Sequence, residues 1–335
     1  MPHGVPRSRP TRRAALAALL ALAAALVTDM PAAQPRTPII AVLIHGTDSA
    51  QRPRVDDLRA GLLELGYREG RDYRLEVRFT GNSTERLPEL ARELVRAKPA
   101  VAVAAPVISA QALQRESRTL PIVMATGAGA QRFGLIESLA RPGGNVTGIN
   151  NQGDELTAKL FELLQQLAPH ARRVVVLSSG LGAIEGDMRR SARATAKREG
   201  LTLIEALAES AEQLPQLAER CRLERCEALV VLLDPNLSSL RAELAGLAAT
   251  LRIPAVYPGS LFVEAGGLIG YGADIRKLYR RAATFVDRIL KGAKPGELAV
   301  EQPTTFELVV NLGTAKTLGI KVPQDLLLRA DRVIE

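Results

Sequence analysis

Residues 39–79 read IIAVLIHGTDSAQRPRVDDLRAGLLELGYREGRDYRLEVRF, and the order of the apolar residues in this stretch decides the fold. Ile39 to Ile44 is an unbroken apolar run of strand length. Val55, Leu58, Leu62 and Leu65 then recur at helical spacing and stop at Gly66. Tyr73, Leu75, Val77 and Phe79 alternate with charged neighbours, as strand residues do. A strand, helix and strand in this order close through a right-handed crossover, which predicts a parallel sheet covered on both faces.

The same grammar continues outward. Leu87, Leu90 and Leu94 predict a helix, with Thr84 as its N-cap and Pro88 in the first turn, where no amide donor is lost. Val101 to Ala105, Ile122 to Ala125 and Val146 to Ile149 complete a first set of strands. The pattern then restarts. Leu156, Leu160, Leu163 and Leu167 form a helical stripe, followed by strands Val174 to Leu177, Leu201 to Ala206, Ala228 to Leu233 and Ala255 to Tyr257 with helices between them. Gly266-Gly267 and Gly270-Tyr271-Gly272 mark a return, and Ile275, Leu278, Ala282, Phe285 and Ile289 predict one more long helix. Strand Thr305 to Val310 and a helix from Leu312 to Leu318 cross between the two sets again. Two successive sets of this kind predict an α/β protein of two Rossmann-like lobes with parallel sheets.

Ahead of the fold, Arg7, Arg9, Arg12 and Arg13 precede an apolar run from Ala14 to Val27. That run is short of the ~20 residues a membrane span needs and matches the apolar region of a secretory signal. Pro31-Ala32-Ala33 offers small residues for a peptidase, so residues 1–33 read as a cleaved export signal, with Gln34 starting the mature protein. The location expected is the periplasm. Arg12-Arg13 also leaves the twin-arginine route open.

Composition excludes several classes. The formal charge is +8, but residues 1–33 carry four Arg and one Asp, so the remainder stands at +5. No Lys/Arg block survives there, aromatics are 3% and Trp is absent, so neither an electrostatic groove nor stacking platforms for nucleic acid are expected. No later apolar run reaches membrane-spanning length. Cys221 and Cys226 are the only cysteines; five apart on one helix they are too distant to bridge, but with Cys226 past the helix end a small-loop disulfide is open.

Ligands of a parallel sheet sit beyond the carboxyl ends of its strands. Those loops offer His45, Thr47 and Asp48 after the first strand, Val107 and Ser109 after the third, and Thr126 and Gly127 after the fourth. The second lobe offers Asn151, Ser178, Ser179, Asp234 and Asn236, with Tyr257 and Tyr271 at later strand ends. Asp234 has two readings: a partner for a ligand amine, or the start of an Asx-type turn with Pro235. A catalytic set is missing. Beyond the export signal the histidines are His45 and His170, and no GxSxG elbow accompanies them. Gly180-Leu181-Gly182 with Gly186 imitates a dinucleotide fingerprint, but with GxGxxxG spacing it reads as a tight turn capping a helix. No catalytic residue, metal or cofactor is expected.

Several segments together resemble a known family. They are Gly61-Leu62-Leu63-Glu64-Leu65-Gly66-Tyr67, Arg86-Leu87-Pro88-Glu89-Leu90-Ala91, Leu120-Pro121-Ile122-Val123, Val286-Asp287-Arg288-Ile289-Leu290-Lys291-Gly292 and Thr305-Phe306-Glu307-Leu308-Val309-Val310-Asn311. The most specific is Ser138-Leu139-Ala140-Arg141-Pro142-Gly143-Gly144-Asn145-Val146-Thr147-Gly148. They resemble solute-binding proteins of ABC transporters in the tryptophan-binding-protein-like family, over nearly the whole mature chain. The resemblance implies the type I periplasmic-binding fold, with residues 38–147 and about 272–303 in one lobe, about 148–271 and 304–335 in the other, and three crossover segments between them. It implies a monomeric, non-enzymatic receptor that delivers a small molecule, such as an amino acid, to a permease with a separate ATPase. A periplasmic sensor for a signalling receptor would share the same fold, and an enzyme with a Rossmann-like lobe is the lesser alternative, which the missing catalytic set speaks against. Where such proteins often carry Asp-Pro-Val after the fourth strand, this chain has Gly129-Ala130-Gln131, which implies the loss of a polar ligand partner and a different ligand.

Overall fold

Strand β1 (Ile39–Ile44) is buried over five of its six residues, because the apolar run leaves it no polar face to turn to water. The computed structural model describes residues 37–335 except 82, 151–152 and 181–182; the expected export signal lies outside the described residues. After β1 the chain crosses through α1 (Asp48–Glu64) to β2 (Arg74–Phe79), then through α2 (Leu87–Arg96) to β3 (Val101–Ala105). Helix α3 (Val107–Glu116) leads to β4 (Ile122–Met124), and a long connection to β5 (Val146–Gly148). These strands form a five-stranded sheet in the order β2-β1-β3-β4-β5, every pair parallel.

The second sheet follows α4 (Gly153–Leu167). Its elements are β6 (Arg173–Ser178), α5 (Ala183–Arg198), β7 (Thr202–Leu207), α6 (Leu214–Leu223), β8 (Ala228–Val231), α7 (Pro235–Ser239), α8 (Arg241–Leu251), β9 (Ala255–Tyr257), α9 (Ser260–Glu264) and β10 (Ile269–Ala273). Helix α10 (Ile275–Leu290) then returns to the first sheet, and β11 (Phe306–Asn311), α11 (Leu312–Leu318), α12 (Gln324–Arg329) and β12 (Arg332–Ile334) complete the second. Its order is β12-β11-β10-β9-β8-β6-β7, parallel except for the antiparallel pair β10 and β11.

Helix α10 packs into the first core beside Leu58 and Leu62 of α1, through Leu278, Ala282, Phe285 and Val286. A Cβ on Gly61 would lie 2.6 Å from the Arg280 carbonyl oxygen, so the two helices approach closely only because Gly61 has none. The contact is also tied by Tyr67, whose hydroxyl donates to Asp287 at 2.8 Å. Burial pushes the Asp287 carboxyl up, yet hydrogen bonds from Lys291 and Tyr67 outweigh it and hold it below the usual carboxylate range. Burial and the Asp287 carboxylate push the Tyr67 hydroxyl up to about 12.

Three passes connect the sheets: after Gly148, after Ala273, and between Glu297 and Phe306. Two run side by side, with Ile149 bridged to Glu301. The Asn150 N–H donates to the Glu301 carbonyl and the Glu301 N–H to the Gly148 carbonyl, each at 2.9 Å.

Three local expectations are corrected, and one left open is decided. Val107 and Ser109, expected in a loop after the third strand, lie in α3, whose buried residues Val107, Ser109, Ala110, Ala112, Leu113 and Gln114 mix apolar with polar and give a weak apolar stripe. Gly270-Tyr271-Gly272, taken as a return, lies within β10, where the missing Cβ atoms let the strand approach the backbone of Pro258 and Gly259. Thr84 opens a 3₁₀ turn and caps nothing with its side chain. Both cysteines are free thiols, with Cys226 beyond the end of α6 and its N–H donating to the Cys221 carbonyl at 2.8 Å. Burial, then a hydrogen bond with Cys226, pushes the Cys221 thiol up to about 12. Among the described residues no helix is long and apolar enough to cross a membrane.

Candidate functional site

The carboxyl ends of β1, β3 and β4 in the first sheet and of β6 and β8 in the second face one another across a cavity of ≈ 200 Å³. That placement follows from parallel strand direction, which gathers the post-strand loops of each sheet at one edge. Apolar walls dominate. Ile44, Pro106, Val107, Ile108 and Phe133 come from the first-sheet side, and Met188 and Leu233 from the second. Ile275 and Tyr279 of α10 close one end, and Leu261 of α9 stands beside them.

A chain of hydrogen bonds crosses from one sheet to the other. The Gly46 N–H donates to Thr80 Oγ1 at 3.1 Å, and Thr80 Oγ1 lies 2.9 Å from His45 Nδ1. His45 Nε2 lies 2.6 Å from Asn236 Oδ1, and Asn236 Nδ2 reaches Ser179 Oγ at 3.5 Å. Ser179 Oγ in turn donates to Asp234 Oδ2 at 2.6 Å. One consistent proton order satisfies every link: Thr80 donates to Nδ1, and His45 donates from Nε2 to the amide oxygen of Asn236. The carboxylate of Asp234 is the terminal acceptor.

Asp234 is 2% exposed. Its Oδ1 accepts from the Asn236 and Leu237 N–H groups at 2.7 and 3.0 Å, which caps α7, and its Oδ2 accepts from the Ser179 N–H at 3.3 Å as well as from Ser179 Oγ. An ionised carboxylate offers about four acceptor positions. All four are filled by protein donors, so the turn reading of Asp234 describes its geometry. What it presents to the cavity are the groups it holds, Asn236 and Ser179.

Arg54 is the lining residue with a full positive charge. It stands on α1, 5% exposed, and its sole hydrogen bond among the described residues runs from Nη1 to Asp57 Oδ2 at 3.4 Å. Beside it Tyr279 is 2% exposed. Burial pushes that hydroxyl up, against the opposing effect of Arg54, so it stays a neutral donor.

The structure brings together His45, Val107, Thr126, Gly127, Ser179, Asp234 and Asn236 from the residues expected at the site. The others fall elsewhere. Thr47 Oγ1 sits 3.4 Å from Ser49 Oγ, and Asp48 pairs with Arg52 on exposed α1 surface. Ser109 is fully buried and donates to the Ala105 carbonyl at 3.0 Å. Ser178 is buried at the end of β6, its hydroxyl without a hydrogen-bond partner among the described residues. Tyr257 is fully buried, stacked on Phe262, with its hydroxyl 3.4 Å from the Leu244 carbonyl. Tyr271 stacks on Phe306 beside the second core. Asn151 lies outside the described residues. Gln51, Arg54, Ser238 and Tyr279 line the cavity without having been singled out in the sequence, and Thr84, expected only as an N-cap, joins them.

Residues 39–334 match the family model described as ABC transporter substrate binding protein. Over 276 residues the chain is 24% identical to the tyrosine-binding protein of Clostridioides difficile (strain R20291), which covers 81% of this chain and 79% of that one. A conserved domain protein from Vibrio cholerae superposes with a TM-score of 0.83 at 25% identity, over 89% of this chain and all of that one. The ABC domain in complex with L-Trp from Streptococcus pneumoniae gives 0.82 at 23% identity, over 89% and 100%. The matched family and the tyrosine-binding relative are substrate-binding proteins, not enzymes.

Proposed function

Because the chain belongs to the ABC transporter substrate binding protein family, we propose that it captures a small metabolite, an amino acid or a related compound, between its two sheets. It then presents the loaded form to an importer permease driven by a separate ATPase. The names of the tyrosine-binding relative and of the L-Trp complex support a ligand of that size, and the signal-like residues 1–33 support a working place outside the cytoplasm. In this reading the cavity is the ligand site, the three passes are the hinge, and closure buries the ligand.

One observation carries the reading. The 2.6 Å contact between His45 and Asn236 joins loops of opposite sheets over the cavity, so the two halves meet through side chains that a hinge movement would part. Binding to the native state alone adds RT ln(1 + [L]/Kd), about 2.7 kcal/mol at a hundredfold excess over Kd. Thermal denaturation against a panel of L-amino acids and their metabolites is expected to give such stabilisation with the compound recovered unchanged. X-ray scattering should contract on binding. Turnover of the bound compound, or an unaltered scattering profile at saturation, would remove the capture mechanism. Intact mass of periplasmic protein tests export, and a product retaining Arg12 and Arg13 would count against it.

A further inference from the structure

We propose that Arg54 is the anchor for an anionic group of the ligand, and that the ligand is an organic carboxylate with an apolar body that needs no ammonium group. The inference rests on the receptor reading above and sharpens it.

Among the described lining residues two carry charge, and they differ in what they have left to give. Asp234 has its acceptor positions filled by the Asn236, Leu237 and Ser179 N–H groups and the Ser179 hydroxyl. A ligand ammonium would find no open carboxylate among the described lining residues. Arg54 is the reverse case. A guanidinium has five N–H donors in a planar fork, and Arg54 uses one of them, in a long contact to Asp57. Asp57 is itself shared, 4.0 Å from Arg280 Nε. Removing a guanidinium from water costs several kcal/mol unless its donors are met, and a carboxylate meets two of them at once.

The surroundings fit the same chemistry. Tyr279, whose pKa responds to Arg54, makes no hydrogen bond among the described residues and lines the cavity as a second unspent donor. Ile44, Val107, Ile108, Phe133 and Leu261 offer a wall for the ligand's apolar body. Arg54 also lines an adjoining polar cavity with Arg241 and Arg276, and the Arg276 partner there, Glu264, is shared with Arg332. Apart from Arg54 the charges of that cavity balance, Arg241 and Arg276 against Asp57 and Glu264, so the unmatched positive charge is that of Arg54 itself.

Calorimetry with two compound sets tests the proposal on the full mature protein. One set is 3-phenylpropanoate, L-phenylalanine, 3-phenylpropanamide and phenethylamine; the other is 4-methylpentanoate, L-leucine, 4-methylpentanamide and isoamylamine. The deaminated carboxylate is expected to bind at least as tightly as its amino acid, with the amide and the amine about 100-fold weaker, within the range for leaving one buried charge unpaired. Arg54→Gln should erase that difference and Arg54→Lys should keep part of it, with thermal melting showing both variants folded. An amide or amine that binds as tightly as the carboxylate would overturn the proposal, as would a folded Arg54→Gln with unchanged affinity.

If neither set binds, native mass spectrometry of the freshly purified protein decides. A copurified anion supports Arg54 as anchor. A compound without an anionic group overturns the anchor and leaves the receptor reading standing, whereas a protein that holds nothing in either experiment overturns both.

Discussion

The two walls of the cavity are built on opposite principles. The second-sheet wall is rich in polar residues, Ser179, Asp234, Asn236 and Ser238, yet these spend hydrogen bonds on one another or on nearby backbone. The first-sheet wall is largely apolar, yet it holds Arg54, whose donors are mostly unused. Polar residue type is therefore a poor guide to which wall recognises the ligand's polar end. What counts is the hydrogen-bonding capacity left after the protein has satisfied itself.

The sharpest way to break this contrast is Asp234→Ala. It removes the cap of α7 and strands the Ser179 and Asn236 groups that the carboxylate holds, so a loss of about 3 kcal/mol in stability is expected even without ligand. Urea unfolding of the empty protein measures it, and an unchanged midpoint together with lost affinity would return Asp234 to the role of ligand partner. His45→Ala comes next. It removes the hydrogen bond between the walls, worth about 1.5 kcal/mol, and should enlarge the ligand-free protein in scattering while leaving it folded. An identical profile would mean that this contact does not hold the walls together.

Tyr67→Phe probes the first core away from both walls and should cost about 1 kcal/mol through the lost bond to Asp287. The raised hydroxyl pKa also gives a pH signature. Its native value of about 12 stands above the ordinary 10, so the stability it contributes is complete below pH 10 and is lost as pH rises towards 12. Wild type should lose more stability across that window than Tyr67→Phe, measured by denaturant unfolding at fixed pH values. The Asp287 carboxyl acts at the other end of the scale: depressed below its ordinary value, it contributes above the usual carboxylate range and is lost as pH falls below it.

The smallest effect is expected where Arg132, next in sequence to the lining residue Phe133, pairs with Asp187, next to the lining residue Met188. Arg132 is half exposed, so the pair should be worth about 0.5 kcal/mol and fade with salt. Ligand dissociation should quicken slightly in Arg132→Ala at low ionic strength and match wild type at 1 M salt. A difference that persists at high salt would mean that Arg132 acts by packing.

Much of the fold was legible because burial on both faces leaves continuous apolar runs such as Ile39 to Ile44 and Ala228 to Val231. The misreadings share one cause. Glycine at 270 and 272 looks like turn chemistry until a neighbouring backbone is seen to need the room, and α3 buries Ser109 and Gln114 beside its apolar residues, so it carries little periodic signal. At the site, strand-end serines and asparagines were visible by type. Arg54 was not, since it sits among Arg52, Arg59 and several aspartates on α1 and reads as one more charge on a wet face. Its burial is produced by packing from elements far along the chain, including Tyr279 and Leu261. Tyr257 and Tyr271 erred in the opposite direction: an aromatic ring at a strand end suggested a ligand, while both rings find partners in Phe262 and Phe306.

The pairing of residues 148–150 with Glu301 has a mechanical consequence. Two cords joined edge to edge behave as a ribbon, compliant when folded across the flat and stiff when sheared in plane. Sliding one sheet past the other would have to rupture the two 2.9 Å backbone links, whereas rotation about the ribbon spares them. On the hinge proposed above, a small angle at the ribbon would become a displacement at the cavity that grows with the lever arm between them.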